Sequence, residues 1–185
     1  MQGPRPSRYN FPVRRKGYVQ IYTGDGKGKT TAAMGLALRT LGHGGRVFVV
    51  QFMKKGKTGE VRALSAFGDR AKVIQTGPAG FLGPDNRNEF VRAAKKGLDA
   101  LKKALFSGEY DLVIADELAV AVGLGLIPVG DVLELIRDKP ARVELVITGR
   151  YASQELVDAA DLVTEMREVK HYYKKGIKAR RGIEF

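Results

Sequence analysis

The stretch GDGKGKTT, residues 24–31, has the residue types of a phosphate-binding loop. Its glycines allow backbone N–H groups to turn toward an anion, Lys29 adds a point charge, and the Thr30 hydroxyl can complete the ligand shell of Mg²⁺. The usual spelling G-x-x-x-x-G-K-[ST] has a glycine where this chain has Thr23. Gly24 follows directly and can turn the chain instead. The pattern predicts a triphosphate site, with a ligand-free glycine turn as the alternative.

The segments on either side of this loop support a nucleotide site. A strand-like segment, residues 18–22, precedes the loop, and a helix-forming segment, residues 29–41, follows it. This order aims the positive end of the helix dipole at the loop, where phosphate binds. We therefore expect ATP to be bound by the loop and the first helical turn: Gly24, Asp25, Gly26, Lys27, Gly28, Lys29, Thr30 and Thr31.

Two adjacent acids, Asp116 and Glu117, follow the apolar run 112–115. An apolar run of this kind is typical of a buried strand, and open α/β sheets bind ligands beyond the carboxyl ends of their strands. A carboxylate there could face a divalent ion held also by Thr30, although acids in this position can instead cap the next helix. The sequence predicts a metal site made of Thr30, Asp116 and Glu117, and it leaves open which acid is the ligand.

The rest of the chain alternates between strand-like and helical segments. Five β-rich segments span residues 18–22, 46–52, 71–76, 110–116 and 143–149, and the clearest helices span 29–41 and 88–106. Such alternation predicts an α/β fold of the P-loop NTPase (RecA-like) type, a mostly parallel sheet with helices on both faces. Residues 76–88, rich in Gly and Pro, predict an irregular loop of the kind that often carries function.

Length, charge and composition limit the classes of protein to which the chain can belong. A length of 185 residues suits one domain, which we place at 17–185 behind a basic arm, residues 1–16. The net charge of +12 is concentrated near the two ends, which are either solvated tails or a polyanion-binding surface. With no cysteine and two histidines, a structural zinc site is not expected. No apolar run is long enough for a membrane span, and we expect a cytoplasmic protein.

Hydrolysis of ATP is one reaction that fits the loop and the acids. In an ATPase that hydrolyses the γ-phosphate, a glutamate after the strand-end aspartate can activate water, and the basic ends would bind nucleic acid. The motifs described so far do not exclude this reading.

Four longer segments carry a more specific pattern: residues 22–56, 111–118, 145–150 and 159–185. Together they resemble the P-loop corrinoid adenosyltransferases, the ATP:cob(I)alamin adenosyltransferase family, over residues 17–185. The closing segment AADLVTEMREVKHYYKKGIKARRGIEF is the most specific part, because no general requirement of nucleotide binding calls for it. The loop spelling with Thr23 is shared by that family.

The resemblance implies transfer of the 5′-deoxyadenosyl group of ATP to the Co(I) of a reduced corrinoid, with release of triphosphate, in coenzyme B12 synthesis or salvage. It implies Mg²⁺ or a similar divalent ion, a nucleotide reversed relative to ordinary P-loop enzymes, a homodimer, and a corrinoid reductase as a further partner. It argues against a nucleic-acid partner. A family member that carries or senses its ligands with little turnover is the remaining alternative.

The resemblance also assigns roles to single residues. Lys29 and Glu117 match catalytic residues, and Arg39 matches a nucleotide contact. Phe81 matches an aromatic residue that contacts the corrinoid, where simple loop packing is the alternative. Relatives often have Phe-Thr-Trp at this point, whereas this chain has Phe81-Leu82-Gly83 and no tryptophan, which leaves the preferred corrinoid open.

Overall fold

The computed structural model describes residues 16–56 and 58–184. Its strands are β1 Val19–Thr23, β2 Val47–Gln51, β3 Ala71–Gln75, β4 Leu112–Asp116, β5 Glu144–Thr148 and β6 Leu162–Glu165. Its helices are α1 Lys29–Gly42, α2 Gly59–Ser65, α3 Arg87–Phe106, α4 Leu118–Gly123, α5 Val129–Asp138 and α6 Gln154–Asp158. Single 3-10 turns lie at Gly68–Arg70, Pro84–Asn86 and Tyr172–Lys175.

The six strands form one sheet in the order β3-β2-β4-β5-β1-β6, and every pair is parallel. The predicted α/β fold with a parallel sheet is confirmed, and all five predicted strands are present. The sixth strand, β6, was not predicted as a strand. It is a four-residue edge strand with every residue exposed, so it lacks the buried apolar run that marked the others.

Helices cover both faces of the sheet because the central strands are apolar on both sides. On one face, Ala33 and Ala37 of α1 pack in a buried cluster with Val47 and Val49 of β2. The other face holds the larger cluster, in which α3, α4, α5 and α6 pack on the alternate strand residues, such as Phe48. The strands are therefore held rigidly, and their carboxyl ends can present polar groups in fixed positions.

The segment between β3 and α3 is irregular, as predicted. Asn86 organises part of it, because its side-chain amide donates to the Phe81 carbonyl at 3.0 Å and accepts from the Gly83 N–H at 2.8 Å. Residues 1–15 of the predicted basic arm lie outside the described residues. Within the described ranges, no helix is long and apolar enough to cross a membrane.

Candidate active site

The phosphate loop, residues 24–28, connects β1 to α1 and packs directly against the chain that leaves β6. The Gly26 N–H donates to the Met166 carbonyl oxygen at 2.6 Å. A Cβ atom built at Gly24 or Gly26 would lie 2.5 or 2.6 Å from that same oxygen, so neither position accepts a side chain. Gly24 also has a φ of 93°, which supplies the turn that the usual motif obtains from a glycine at position 23. The unusual spelling thus has a structural reason.

Lys29 is the first residue of α1, and its side chain is buried beneath the loop. Its Nζ donates to the carbonyl oxygens of Gly24 at 2.6 Å and Gly26 at 2.7 Å. Burial lowers the pKa of Lys29, and the nearby charge of Arg150 lowers it further. The ammonium therefore lies at the centre of the loop, at the N-terminus of a fourteen-residue helix.

Asp116, at the end of β4, is fully buried and accepts four hydrogen bonds. Its Oδ1 accepts from the hydroxyls of Thr30 at 2.8 Å and Thr148 at 2.7 Å. Its Oδ2 accepts from Gln51 Nε2 at 3.0 Å and Lys54 Nζ at 2.7 Å. Burial alone would raise the pKa of Asp116, but Lys54 and the hydroxyl donors outweigh it and lower the pKa below 3.8. A carboxylate has about four acceptor sites, so all of them are occupied.

Glu117 differs from its neighbour in both backbone and side chain. Its φ is 64°, which is costly for a residue with a side chain, and its N–H donates to Thr148 Oγ1 at 3.0 Å. Burial raises the pKa of Glu117, and the adjacent charge of Asp116 raises it further, against the lowering effect of Lys54. Within the described residues its carboxylate accepts no hydrogen bond. It is therefore the acid of the pair with open acceptor sites.

A cavity of about 760 Å³ opens beside the loop. Its walls come from the start of α1, the ends of β2 and β3, the loop before α3 and the end of the chain, and they include Thr30, Thr31, Met34, Lys54, Pro78 and Ile183. A second cavity, of about 450 Å³, lies on the side of Asp25 and is lined mainly by charged side chains, among them Arg150 and Arg167. The loop therefore lies between a large mixed cavity and a smaller charged one.

The matching family model is that of the ATP:corrinoid adenosyltransferases BtuR/CobO/CobP, and it covers residues 15–185. The chain belongs to the ATP:corrinoid adenosyltransferase family. It is 36% identical over 171 residues to the corrinoid adenosyltransferase of Escherichia coli (strain K12), covering 92% of this chain and 86% of that protein. It is also 36% identical to the corrinoid adenosyltransferase CobA of Salmonella typhimurium, with 92% and 86% covered, and to the corrinoid adenosyltransferase of Pseudomonas aeruginosa, with 92% and 84% covered. The resemblance found in the sequence is confirmed.

Most of the predicted site residues of this adenosyltransferase come together at the carboxyl edge of the sheet. Thr30 donates a hydrogen bond to Asp116, and Glu117 lies close enough to Asp116 and Lys29 for their charges to shift its pKa. Arg39 does not take part in these interactions. Arg39 is exposed in the last turn of α1, about 15 Å from Lys29 along the helix axis. Its predicted nucleotide contact stays a prediction.

Phe81 lies next to Gly80 of the large cavity, and its side chain is 97% exposed. Loop packing therefore does not explain this phenylalanine, because it contacts little of its own loop. An exposed aromatic side chain at a cavity entrance is suited to an apolar ligand. The corrinoid contact implied by the adenosyltransferase family stays a prediction that this placement favours.

The structure adds three residues that sequence reasoning missed. Gln51, Lys54 and Thr148 all contact Asp116 and lie at or just after strand ends. The signal was a polar residue at the carboxyl end of an apolar strand, as in VFVVQ and ELVIT. A buried polar side chain needs a hydrogen-bond partner, so a polar residue in this position indicates a polar neighbour at the end of the strand.

The closing segment of the adenosyltransferase folds over the phosphate loop. Lys27 Nζ contacts the Ile183 carbonyl at 3.5 Å. Glu184 connects two parts of this segment, because it accepts hydrogen bonds from the Arg180 N–H at 2.6 Å and from the Tyr172 hydroxyl. Hydrogen bonds from the Arg180 and Tyr172 side chains lower the pKa of Glu184 to about 2. His171 accepts from the Tyr173 N–H at 3.1 Å, a role in folding the segment.

Proposed function

We propose that the protein transfers the 5′-deoxyadenosyl group of ATP to the Co(I) of a reduced corrinoid and releases triphosphate, in coenzyme B12 synthesis or salvage. The observation that carries this proposal is membership of the adenosyltransferase family over residues 15–185, which includes the closing segment. The geometry agrees with it, because a cavity of about 760 Å³ opens beside the first turn of α1, and this volume lies in the range of small-molecule and cofactor sites.

The reaction breaks the C5′–O5′ bond of ATP. The nucleophile is the cobalt of the substrate, whose electron pair forms the Co–C5′ bond while the electrons of the broken bond remain on O5′ of the triphosphate. No base is needed to deprotonate the nucleophile. The protein must instead align C5′ with cobalt and stabilise the charge that grows on the leaving triphosphate. We expect Lys29 and the N-terminus of α1, which lie at the loop, to stabilise that charge.

The two cavities suggest the direction in which ATP lies. The corrin ring requires the larger cavity, so C5′ would face Thr30 and Thr31, and the terminal phosphates would point toward Asp25 and Arg150. This is the reversed nucleotide that the family resemblance implies. Phe81 directly follows the cavity-lining Gly80, and we expect it to contact the corrinoid there.

The oxygen donors at the loop fit a divalent ion such as Mg²⁺. Thr30 Oγ1 and the Glu117 carboxylate have acceptor sites left, whereas those of Asp116 are occupied, so Asp116 would act through a bridging water. Within the described residues no cluster of three or more acids or histidines could hold a metal alone. The triphosphate would supply the other ligands, as is usual for Mg²⁺. A bound ion would neutralise charge on the leaving group.

We further propose a homodimer, a cytoplasmic location and a corrinoid reductase as partner. The homodimer and the reductase are implied by the resemblance to the family. Co(I) is strongly reducing, so a partner that delivers electrons close to the site would limit its reoxidation.

The test is an anaerobic incubation of the purified protein with Mg²⁺-ATP and chemically reduced cob(I)alamin, with nucleotides and corrinoids separated afterwards. Light-sensitive adenosylcobalamin formed in step with triphosphate is the expected result. ADP and phosphate without a new cobalt–carbon bond would show the ATPase reaction instead. Binding of both substrates without either product would show a carrier or sensor.

A further inference from the structure

Lys54 takes up a position at the phosphate loop that none of the motifs predicted. It lies three residues beyond the end of β2, and its Nζ is 2.7 Å from Asp116 Oδ2 and 3.2 Å from Thr30 Oγ1. The ammonium thus bridges the strand-end acid and the first turn of α1. Because Asp116 is fully buried, this ion pair is the main compensation for its charge.

The backbone on both sides of Lys54 is held tightly. Met53 has a φ of 53°, a left-handed conformation that is strained for a residue with a side chain. Hydrogen bonds on either side maintain it: Phe52 N–H donates to the Asp116 carbonyl at 2.9 Å, and Gly77 N–H donates to the Lys54 carbonyl at 3.0 Å. Strain that the surroundings sustain in this way is typical of functional sites. Here it directs Lys54 toward the loop.

The Lys54 ammonium has one hydrogen-bond donor left for a ligand. An ammonium carries three N–H donors, and the described residues accept two of them, at Asp116 and Thr30. The side chain is 29% exposed and lines the large cavity. The remaining donor can therefore reach a ligand in that cavity without breaking the existing contacts.

The other cations of the site lie elsewhere. Lys29 is turned under the loop toward the Gly24 and Gly26 carbonyls, and Arg150 lines the smaller cavity. Lys54 stands where the loop meets the large cavity, beside Thr30. With C5′ facing that cavity, this is the boundary at which the C5′–O5′ bond must lie.

We propose that Lys54 is a further catalytic residue, which donates its third N–H to the α-phosphate oxygens next to the breaking C5′–O5′ bond. This inference rests on the proposed function. As cobalt donates its electron pair to C5′, the electrons of the C5′–O5′ bond pass to O5′, and the added negative charge on the α-phosphate is met by the ammonium. Asp116 and Thr30 hold that ammonium in place beforehand, so no reorganisation is needed during the reaction.

The test compares Lys54→Met with Lys96→Met as a matched control, since Lys96 is an exposed lysine of α3 that lines neither cavity of the site and makes no side-chain hydrogen bond within the described residues. Single-turnover transfer to cob(I)alamin is measured at saturating ATP, and ATP affinity is measured separately by calorimetry. We expect Lys54→Met to slow transfer by about 10²–10³-fold, the usual loss for one such donor, with ATP affinity nearly unchanged. Lys96→Met should react at the wild-type rate.

A second measurement distinguishes a catalytic role of Lys54 from a role limited to neutralising the charge of Asp116. The two diastereomers of ATP with sulfur on the α-phosphate are used as substrates, and the ratio of their rates is measured. A donor to an α-phosphate oxygen makes wild-type protein discriminate between them, and Lys54→Met should lose that discrimination. A purely structural lysine would leave the ratio unchanged. If Lys54→Met does not fold, Lys54→Arg keeps a charge beside Asp116, and the ratio should change there as well.

Three outcomes overturn the inference: an unchanged ratio, a Lys54→Met rate equal to wild type, or a loss that appears only as weaker ATP binding. They differ from a failure of the proposed function, in which the wild-type protein itself forms no adenosylated corrinoid.

Discussion

Thr148→Val removes one hydroxyl that fixes both acids of the site. Thr148 is fully buried at the end of β5; it donates to Asp116 Oδ1 at 2.7 Å and accepts the Glu117 N–H at 3.0 Å. Valine has the same shape, so packing should be preserved. Loss of a hydrogen bond to an ionised group costs about 1.5–3 kcal/mol, and an unsatisfied buried N–H costs about 1–3 kcal/mol. Because one hydroxyl serves both bonds, we expect a combined loss of about 3–5 kcal/mol in the free energy of unfolding.

For a chain of this length each kcal/mol shifts Tm by about 2–4 °C, so the variant should melt roughly 6–20 °C below wild type. The measurement is thermal unfolding followed by circular dichroism at pH 7. Thr164→Val in β6 is the control, because Thr164 is exposed and its hydroxyl makes no hydrogen bond within the described residues. A Thr148→Val melting temperature within about 2 °C of wild type would refute the reasoning.

The effect of Thr148→Val on the free energy of unfolding should also depend on pH. The folded-state pKa of Asp116 is lowered from 3.8, so the stability contributed by its ionised form is present above that value and is lost as pH falls through the folded pKa. The Thr148 hydroxyl is one of the groups that lower this pKa. The stability difference between wild type and Thr148→Val should therefore shrink below pH 3.8.

Three further predictions concern residues expected from the sequence. Lys29→Ala should abolish adenosyl transfer through lost triphosphate binding, and undiminished turnover would remove the loop from the mechanism. Glu117→Gln should weaken adenosyl transfer in a way that depends on divalent metal, whereas normal metal dependence would point to Asp116 or elsewhere. It should also raise Tm at pH 7, because burial raises the pKa of Glu117 above 4.5 and makes its ionised form costly, and the gain in Tm should vanish below that pH. Phe81→Ala should impair reaction with cobalamin more than with a corrinoid lacking its lower ligand, whereas equal losses would indicate a structural side chain.

The fold could be predicted to the extent that burial leaves a pattern in the sequence. Central strands such as VFVVQ and LVIAD are buried on both faces and appear as continuous apolar runs. β6 contains only four residues, all exposed at the sheet edge, and its pairing with β1 depends on the parallel register rather than on hydrophobicity. Edge strands of this kind carry little signal in a single sequence.

The site could be predicted where a motif is local and not where it is assembled across strands. Lys29 and Thr30 follow from one loop, and Asp116 follows from one strand end. The ion pair of Lys54 with Asp116 depends on the register in which Gln51 lies beside Asp116, which no sequence spacing reveals. Arg39 was assigned by resemblance, and its distance from the loop could be judged only once α1 had defined ends.

The contact between the phosphate loop and Met166 has a consequence for how the protein is made. On the ribosome the loop emerges before the carbonyl that receives the Gly26 N–H, because Met166 follows all five of the other strands in the chain. The nascent chain therefore carries its nucleotide motif through the synthesis of β2 to β5 without this contact. We expect a chain truncated before β6 to bind ATP more weakly than the full chain.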